Sequence, residues 1–184
     1  MKRFSDHTPS RALPEWRLTL ILDNLRSAHN VGNILRIAEG LQLEVITCGY
    51  TPTPPHPVLA KTAMECDLLV PCRTAPSAVE AIKLVRQEGC RMVLALEHTT
   101  NSIEVWDLPD IPMPLALVLG NEALGITPEA IGLCDRIVEL PMLGAKASIN
   151  VGNAAAAALY AIYAKYKEHP RVMIFPSRWK QPSC

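Results

Sequence analysis

The chain carries no net charge, since 18 Lys and Arg balance 18 Asp and Glu over 184 residues. That counts against a broad basic surface of the kind that coats nucleic acid, while leaving room for a local basic patch. No apolar run reaches the roughly 20 residues of a membrane-spanning helix, and no basic-then-apolar leader opens the chain. The six cysteines, at 48, 66, 72, 90, 134 and 184, form no CxxC pair and no His/Cys cluster of zinc-like spacing. Free buried thiols in a reducing cytosol are therefore expected, and no metal site. The dinucleotide fingerprint GxGxxG is absent, which disfavours a nicotinamide or flavin enzyme. There is no internal repeat, no low-complexity segment and no composition shift marking a second domain.

What is present suits one compact α/β domain. The hydrophobic share of 49% and charged share of 20% are those of a globular chain with a sizeable core. Residues 1–16 hold Lys2, Arg3, Arg11 and two prolines and are expected to form a loose basic arm. Residues 17–168 form the domain and residues 169–184 a tail. Continuous apolar runs predict buried strands at 18–23, 44–49, 67–72, 91–97, 115–119 and 136–141. Helical spacing predicts helices at 33–41, 77–88 and 150–167, with shorter ones within 58–66 and 128–134. Asn24–Gly32 and Asn101–Pro114 read as irregular, and the four prolines of Thr51–Pro57 demand a loop. His7, His56 and His169 fall in loops or tails and read as solvated.

Strands alternating with helices imply a parallel sheet covered on both faces, with ligands beyond the carboxyl ends of its strands. Three polar clusters fall at those ends. The first, Ser27–Gly40, places Arg36 in an apolar helical segment, where a guanidinium needs a partner such as Glu122 or Glu39. Asn30 and Asn33 are turn or cap residues by type. The second, Gly120–Thr127, imitates a phosphate-binding P-loop, but Ile126 stands where the lysine belongs, so a P-loop hydrolase is rejected. Gly120 lets the backbone approach a ligand, and Glu122 is either a site carboxylate or a solvated turn residue. The third, Leu140–Asn150, is a Gly-containing loop ahead of an alanine-rich helix, with Ser148 and Asn150 as N-cap candidates. A helix start of this kind offers unpaired amides to a polar ligand.

Together the clusters resemble the SpoU/TrmH family of RNA 2′-O-ribose methyltransferases, in the SPOUT superfamily. They supply N-x-G-x-I-x-R-x-A from Asn30 to Ala38, L-V-L-G-N-E-x-x-G-I from Leu117 to Ile126, and L-P-M-x-G-x-x-x-S-I-N from Leu140 to Asn150. Order and spacing match in all three, over roughly residues 18–165. The resemblance implies a parallel-sheet SPOUT fold with a C-terminal deep trefoil knot, a feature the general avoidance of knots would argue against. It also implies S-adenosylmethionine as cofactor, a homodimer with the site near its interface, tRNA or rRNA as substrate, and a cytoplasmic setting. Carried over by motif position, the catalytic residues are Asn30, Arg36, Glu122, Ser148 and Asn150. The cofactor positions are Leu96, Glu97, Gly120, Leu140, Met142 and Ile149, acting largely through main-chain groups. The family assigns its motif-one arginine the role of base. Because a guanidinium stays protonated in proteins, Arg36 is read instead as contacting phosphate or the attacking oxygen.

Where many members continue with Val-Ser-Val-Ala, this chain has Val151-Gly152-Asn153-Ala154, and Gly152 near a helix start costs about 1 kcal/mol against Ala. No added RNA-binding domain is evident, so grip on substrate is assigned to the dimer surface and to Lys2, Arg3, Arg11, Arg171, Arg178 and Lys180. Two alternatives stay open at this point: a non-catalytic RNA-binding or assembly protein on the same fold, and an unrelated small-ligand enzyme with a parallel sheet.

Overall fold

A computed structural model describes residues 15–168. The arm up to residue 14, the tail from 169 and the six basic residues assigned to them lie outside that range. Seven strands form one sheet in the order β3-β2-β1-β6-β4-β7-β5, every neighbouring pair parallel. In chain order the elements are β1 (Leu18–Asp23), α1 (Ala28–Gly40), β2 (Glu44–Cys48), α2 (Pro57–Thr62), α3 (Cys66–Leu69), β3 (Cys72–Ala75), α4 (Ala78–Gln87), β4 (Met92–Leu96), β5 (Ile103–Glu104), β6 (Leu115–Leu119), α5 (Pro128–Ile131), β7 (Arg136–Glu139) and α6 (Val151–Glu168).

Alternation along the central strands divides the core in two. Leu18, Leu20 and Leu22 of β1, with Leu115, Leu117 and Leu119 of β6, face α1, α2, α3 and α6. Ile21, Ala116 and Val118 point the other way, toward the small residues Ala78 and Ala81 of α4. Burial on both faces explains why these strands are unbroken apolar runs. Trp16, expected in the arm, belongs to the fold. Its indole N–H donates to the Leu41 carbonyl at 2.8 Å, and its ring sits 5.3 Å from those of Tyr163 and Tyr166 on α6.

Three local expectations are corrected. The strand expected at 67–72 begins only at Cys72, and Cys66–Leu69 is the short helix α3. Leu68 and Leu69 are 80% and 60% exposed while Val70 is buried, so the apolar character of this run is not that of a strand buried on both faces. α1 starts at Ala28, inside the expected loop, because Ser27 caps it by accepting from the Asn30 amide at 3.3 Å. His56 is no bystander. Its Nδ1 accepts from the Val58 amide at 3.2 Å and caps α2. All five described cysteines are free, two buried and three half-buried. Burial pushes the Cys48 and Cys134 thiols up to about 12, which leaves them unreactive.

Gly32 sits within α1, where glycine is normally unfavourable. A Cβ there would meet the Thr62 Oγ1 at 2.2 Å, the Thr62 Cβ at 2.8 Å and the Ala63 amide nitrogen at 3.1 Å. The Thr62 hydroxyl is itself committed to the Val58 carbonyl at 2.9 Å, so it cannot swing clear without loss. Gly32→Ala is therefore expected to destabilise the fold by about 1–3 kcal/mol despite alanine's better helix propensity. Denaturant unfolding measures this, and a gain in stability would contradict the close α1/α2 approach.

Candidate active site

The carboxyl ends of β4, β6 and β7 open onto a cleft of about 380 Å³. Leu96 and Glu97 line it from the end of β4, Gly120 and Glu122 from the loop after β6, and Leu140 and Met142 from the loop after β7. Ser148, Ile149 and Asn150 close it ahead of α6. The cleft thus gathers nine of the eleven residues singled out by sequence. Of the other two, Asn30 joins through hydrogen bonds and Arg36 does not.

Asn30 is 8% exposed and belongs to the first turn of α1, not to a loop. Its Nδ2 donates to Glu122 Oε1 at 2.8 Å, and its Oδ1 accepts from Asn150 Nδ2 at 2.9 Å. A carboxylate only accepts, so Glu122 fixes which way the Asn30 amide points, and Asn30 in turn orients Asn150. Asn150 also caps α6, its Oδ1 accepting from Gly152 N at 2.9 Å and Asn153 N at 3.3 Å. Cap and site member are one residue. Ser148 lines the cleft but is exposed and makes no hydrogen bond among the described residues.

Glu122 is exposed but is not a free turn residue, because its carboxylate is fully engaged in hydrogen bonds. Its Oε2 accepts from Arg26 N at 2.8 Å and its Oε1 from Ser27 N at 3.0 Å, besides the Asn30 amide. Partial burial pulls its pKa upward, but the Arg26, Asn30 and Ser27 hydrogen bonds outweigh that and hold it below the ordinary carboxylate range. Glu122 is therefore a fixed anion that ties the β1–α1 loop to the β6–α5 loop, and a poor acceptor for a substrate proton.

Gly120 serves the loop itself. A Cβ there would come within 2.4 Å of Gly125 C and Ile126 N, because Asn121 and Gly125 exchange backbone hydrogen bonds of 3.0 and 2.9 Å. Glu97 Oε2 accepts from Ile126 N at 3.1 Å and its Oε1 from His98 N at 3.1 Å. With its carboxylate so engaged, Glu97 has mainly backbone to offer a ligand. From Met142 to Ile149 no backbone amide donates to another group among the described residues. The amides of Met142, Ala147, Ser148 and Ile149, which line the cleft, are thus left without a protein acceptor.

Arg36 is exposed and forms no ion pair among the described residues; the expected bridges to Glu122 and Glu39 are not made. Helix geometry accounts for its separation, since six residues turn it about 120° from Asn30 and carry it roughly 9 Å along the axis. Gly152 acquires a reason as well. A Cβ there would lie 3.2 Å from Asn150 Oδ1 and 3.4 Å from Asn33 Cβ, so glycine lets α6 start against α1 without displacing the Asn150 amide.

Sequence reasoning missed two residues that fix the loops around the cleft. Asp23, 1% exposed at the end of β1, accepts from Thr127 N at 2.9 Å and Thr127 Oγ1 at 2.8 Å. Asn121 accepts from Ala123 N at 2.8 Å and Leu124 N at 3.0 Å, and donates to Asn24 O at 2.6 Å. The signal for Asp23 was a lone carboxylate ending an apolar strand; that for Asn121 was its place inside the second motif. At the rim, Glu139 accepts from Ser102 Oγ at 2.5 Å and contacts His98 Nδ1 at 2.6 Å. Those two partners hold its carboxyl below the usual range.

A parallel sheet with a half-polar, half-apolar cleft across its carboxyl ends defines an α/β protein built to bind a small ligand beside an ordered polar group. The particular family follows from the motif residues lining that cleft. The model described as "SpoU rRNA Methylase family" matches residues 17–160, and the chain belongs to that family. It is 31% identical over 147 residues to the 23S rRNA (uridine(2479)-2'-O)-methyltransferase of Streptomyces viridochromogenes, covering 78% of this chain and 51% of that one. It is 27% identical to the tRNA (guanosine(18)-2'-O)-methyltransferase of Escherichia coli, covering 78% and 61%. The crystal structure of the SpoU methyltransferase AviRb from Streptomyces viridochromogenes in complex with AdoMet superposes with a TM-score of 0.76 at 27% identity, covering 85% of this chain and 63% of that one. The chain thus spans between about half and two thirds of the length of these relatives.

Proposed function

We propose that the protein is a cytoplasmic homodimeric RNA methyltransferase that moves the methyl group of S-adenosylmethionine to a ribose 2′-hydroxyl of tRNA or rRNA. The observation that carries this reading is the convergence of all three motifs on one cleft, through the Asn150–Asn30–Glu122 chain of hydrogen bonds. The donor set fits the cofactor. A nucleoside needs an apolar slot with main-chain partners, and Leu96, Leu140, Met142 and Ile149 with the unspent amides of the β7–α6 loop are of that kind. When bound, S-adenosylmethionine supplies an activated methyl group on a positive sulfur. The residues of the chain then have to place the ribose oxygen in line with it and exclude competing water. Asn30, Asn150 and Ser148 hold the ribose, Glu122 locks the two asparagines, and Arg36 neutralises charge gathering on the 2′-oxygen or its neighbouring phosphate.

The exposed position of Arg36 supports a dimer. His29, Asn33, Arg36 and Gly40 recur along one exposed side of α1, and α6, which packs on α1, leaves Tyr160 53% exposed close by. A second copy seated on this face would deliver its Arg36 to the cleft of the first. The knot has related support. β6 inserts between β1 and β4, β7 lies beyond β4, and α6 returns to α1, so the C-terminal segment crosses back over the strands that precede it. The cytoplasmic setting agrees with free thiols and with the absence, among the described residues, of a helix long and apolar enough to cross a membrane.

Incubating the protein with bulk RNA and methyl-labelled S-adenosylmethionine is expected to place label in the RNA. A protein that binds the cofactor and RNA yet transfers nothing would instead be the assembly protein on the same fold.

A further inference from the structure

Tyr50 follows β2 directly and is 59% exposed. It is nevertheless held at both ends. Its hydroxyl accepts from Asn121 Nδ2 at 2.8 Å, and its amide donates to Asn24 Oδ1 at 3.4 Å. The next residue, Thr51, is buried and stitches the same loop down, donating to the Leu22 and Cys48 carbonyls at 3.0 and 2.8 Å and accepting from Leu25 N at 3.0 Å. Gly49 precedes it with φ +59°, and a Cβ there would strike Asn24 Oδ1 at 2.1 Å. An exposed ring whose hydroxyl and backbone are both fixed has little rotamer entropy left to lose on binding.

Its neighbours are the residues of the site. Asn121, which grips the hydroxyl, lines the cleft beside Glu122, and Glu122 holds the Arg26 amide. The Arg26 side chain is exposed on the adjoining loop. An exposed aromatic ring after β2 and an exposed guanidinium after β1 are thus joined through the Asn121–Glu122 loop, and neither lines the cofactor cleft. With zero net charge the chain as a whole gains little from long-range attraction to phosphates, and unpaired bases stack on such rings with little regard to sequence.

Resting on the methyltransferase reading, we propose that Tyr50 is the platform on which an unpaired RNA base next to the target ribose stacks, with Arg26 contacting a flanking phosphate. The substrate nucleotide would then be presented from a single-stranded loop, not from within a duplex.

The test measures binding separately from turnover. Wild type, Tyr50→Ala, Tyr50→Phe and Arg26→Ala are titrated with single-stranded poly-uridine and with unmodified tRNA and rRNA transcripts at several salt concentrations, alongside cofactor binding and thermal unfolding. Tyr50→Ala should bind RNA about tenfold or more weakly with the salt dependence unchanged. Tyr50→Phe, which keeps the ring, should retain most of the affinity. Arg26→Ala should weaken binding and flatten the salt slope by about one unit. Cofactor affinity and unfolding temperature should hold in Tyr50→Ala. Undiminished RNA affinity in that variant overturns the platform, as does a loss matched by loss of cofactor binding, which would mark Tyr50 as structural. Wild type that binds RNA in this Tyr50-dependent way but transfers no methyl group would sink the methyltransferase reading and spare the platform. Failure of wild type to bind RNA at all would sink both.

Discussion

Arg36→Ala is expected to lower methyl transfer by about 10²–10³-fold, the usual loss when one group facing developing charge is removed from a site. Cofactor binding should be unchanged, because Arg36 neither lines the cleft nor bonds to a residue that does. Stability should shift by no more than about 0.5 kcal/mol, since the side chain is exposed and unpaired and alanine is a better helix former. The sharper form of the experiment uses mixed dimers. If Arg36 acts on the cleft of the other copy, Arg36→Ala mixed with a cleft variant such as Asn150→Ala yields heterodimers with one intact site. Random pairing then restores about a quarter of wild-type activity. If Arg36 acts within its own chain, the mixture stays as inactive as its components. Activity assays on mixtures unfolded and refolded together decide between the two.

Glu122→Gln has the second large expected effect, and it falls on structure and activity together. The carboxylate accepts from two amides and the Asn30 side chain. A glutamine turns part of that acceptor into a donor facing donors; with the group exposed and water able to satisfy the freed donors, about 0.5–1.5 kcal/mol of stability should be lost at neutral pH. Turnover should fall as well, since Asn30 loses the bond that orients it toward Asn150. The pH dependence carries a definite sign. The folded-state pKa of Glu122 is lowered, so its contribution is fully present above the unfolded carboxylate value near 4.5 and is lost as pH falls through the folded value. Wild type and variant should therefore differ fully above the unfolded carboxylate value and converge as pH falls through the lowered folded value. Denaturant unfolding at several pH values reads this directly. A gap that widens in acid would mean that Glu122 is not the fixed anion described above.

Much of the fold was legible in the sequence because the central strands are buried on both faces and so read as unbroken runs of Leu, Ile and Val. Errors arose where burial and apolar character part company. Leu68 and Leu69 are as apolar as any strand residue but lie on the surface of α3. The start of α1 was hidden by Asn30, Gly32 and Asn33, poor helix formers that are there for other reasons. Asn30 is placed by Glu122 and Asn150, and Gly32 by the close passage of Thr62. Most of the candidate site came from three short motifs, whose order in the sequence says nothing of which side chains touch. That Asn30 joins Glu122 to Asn150, that Gly120 accommodates its own loop and that Arg36 stands apart are consequences of loop and helix geometry. The same holds for Gly152, where a departure from the common pattern proves to be a helix packed close against Asn33.

The measurement that bears most directly on the account is the position of the transferred methyl group. RNA labelled by this protein should yield, after alkaline digestion, label only in dinucleotides that resist cleavage, because a methylated 2′-oxygen cannot attack the adjacent phosphate. Label released in ordinary mononucleotides would place the methyl group on a base, and the ribose 2′-hydroxyl chemistry assigned to Asn30, Arg36 and Asn150 would be wrong.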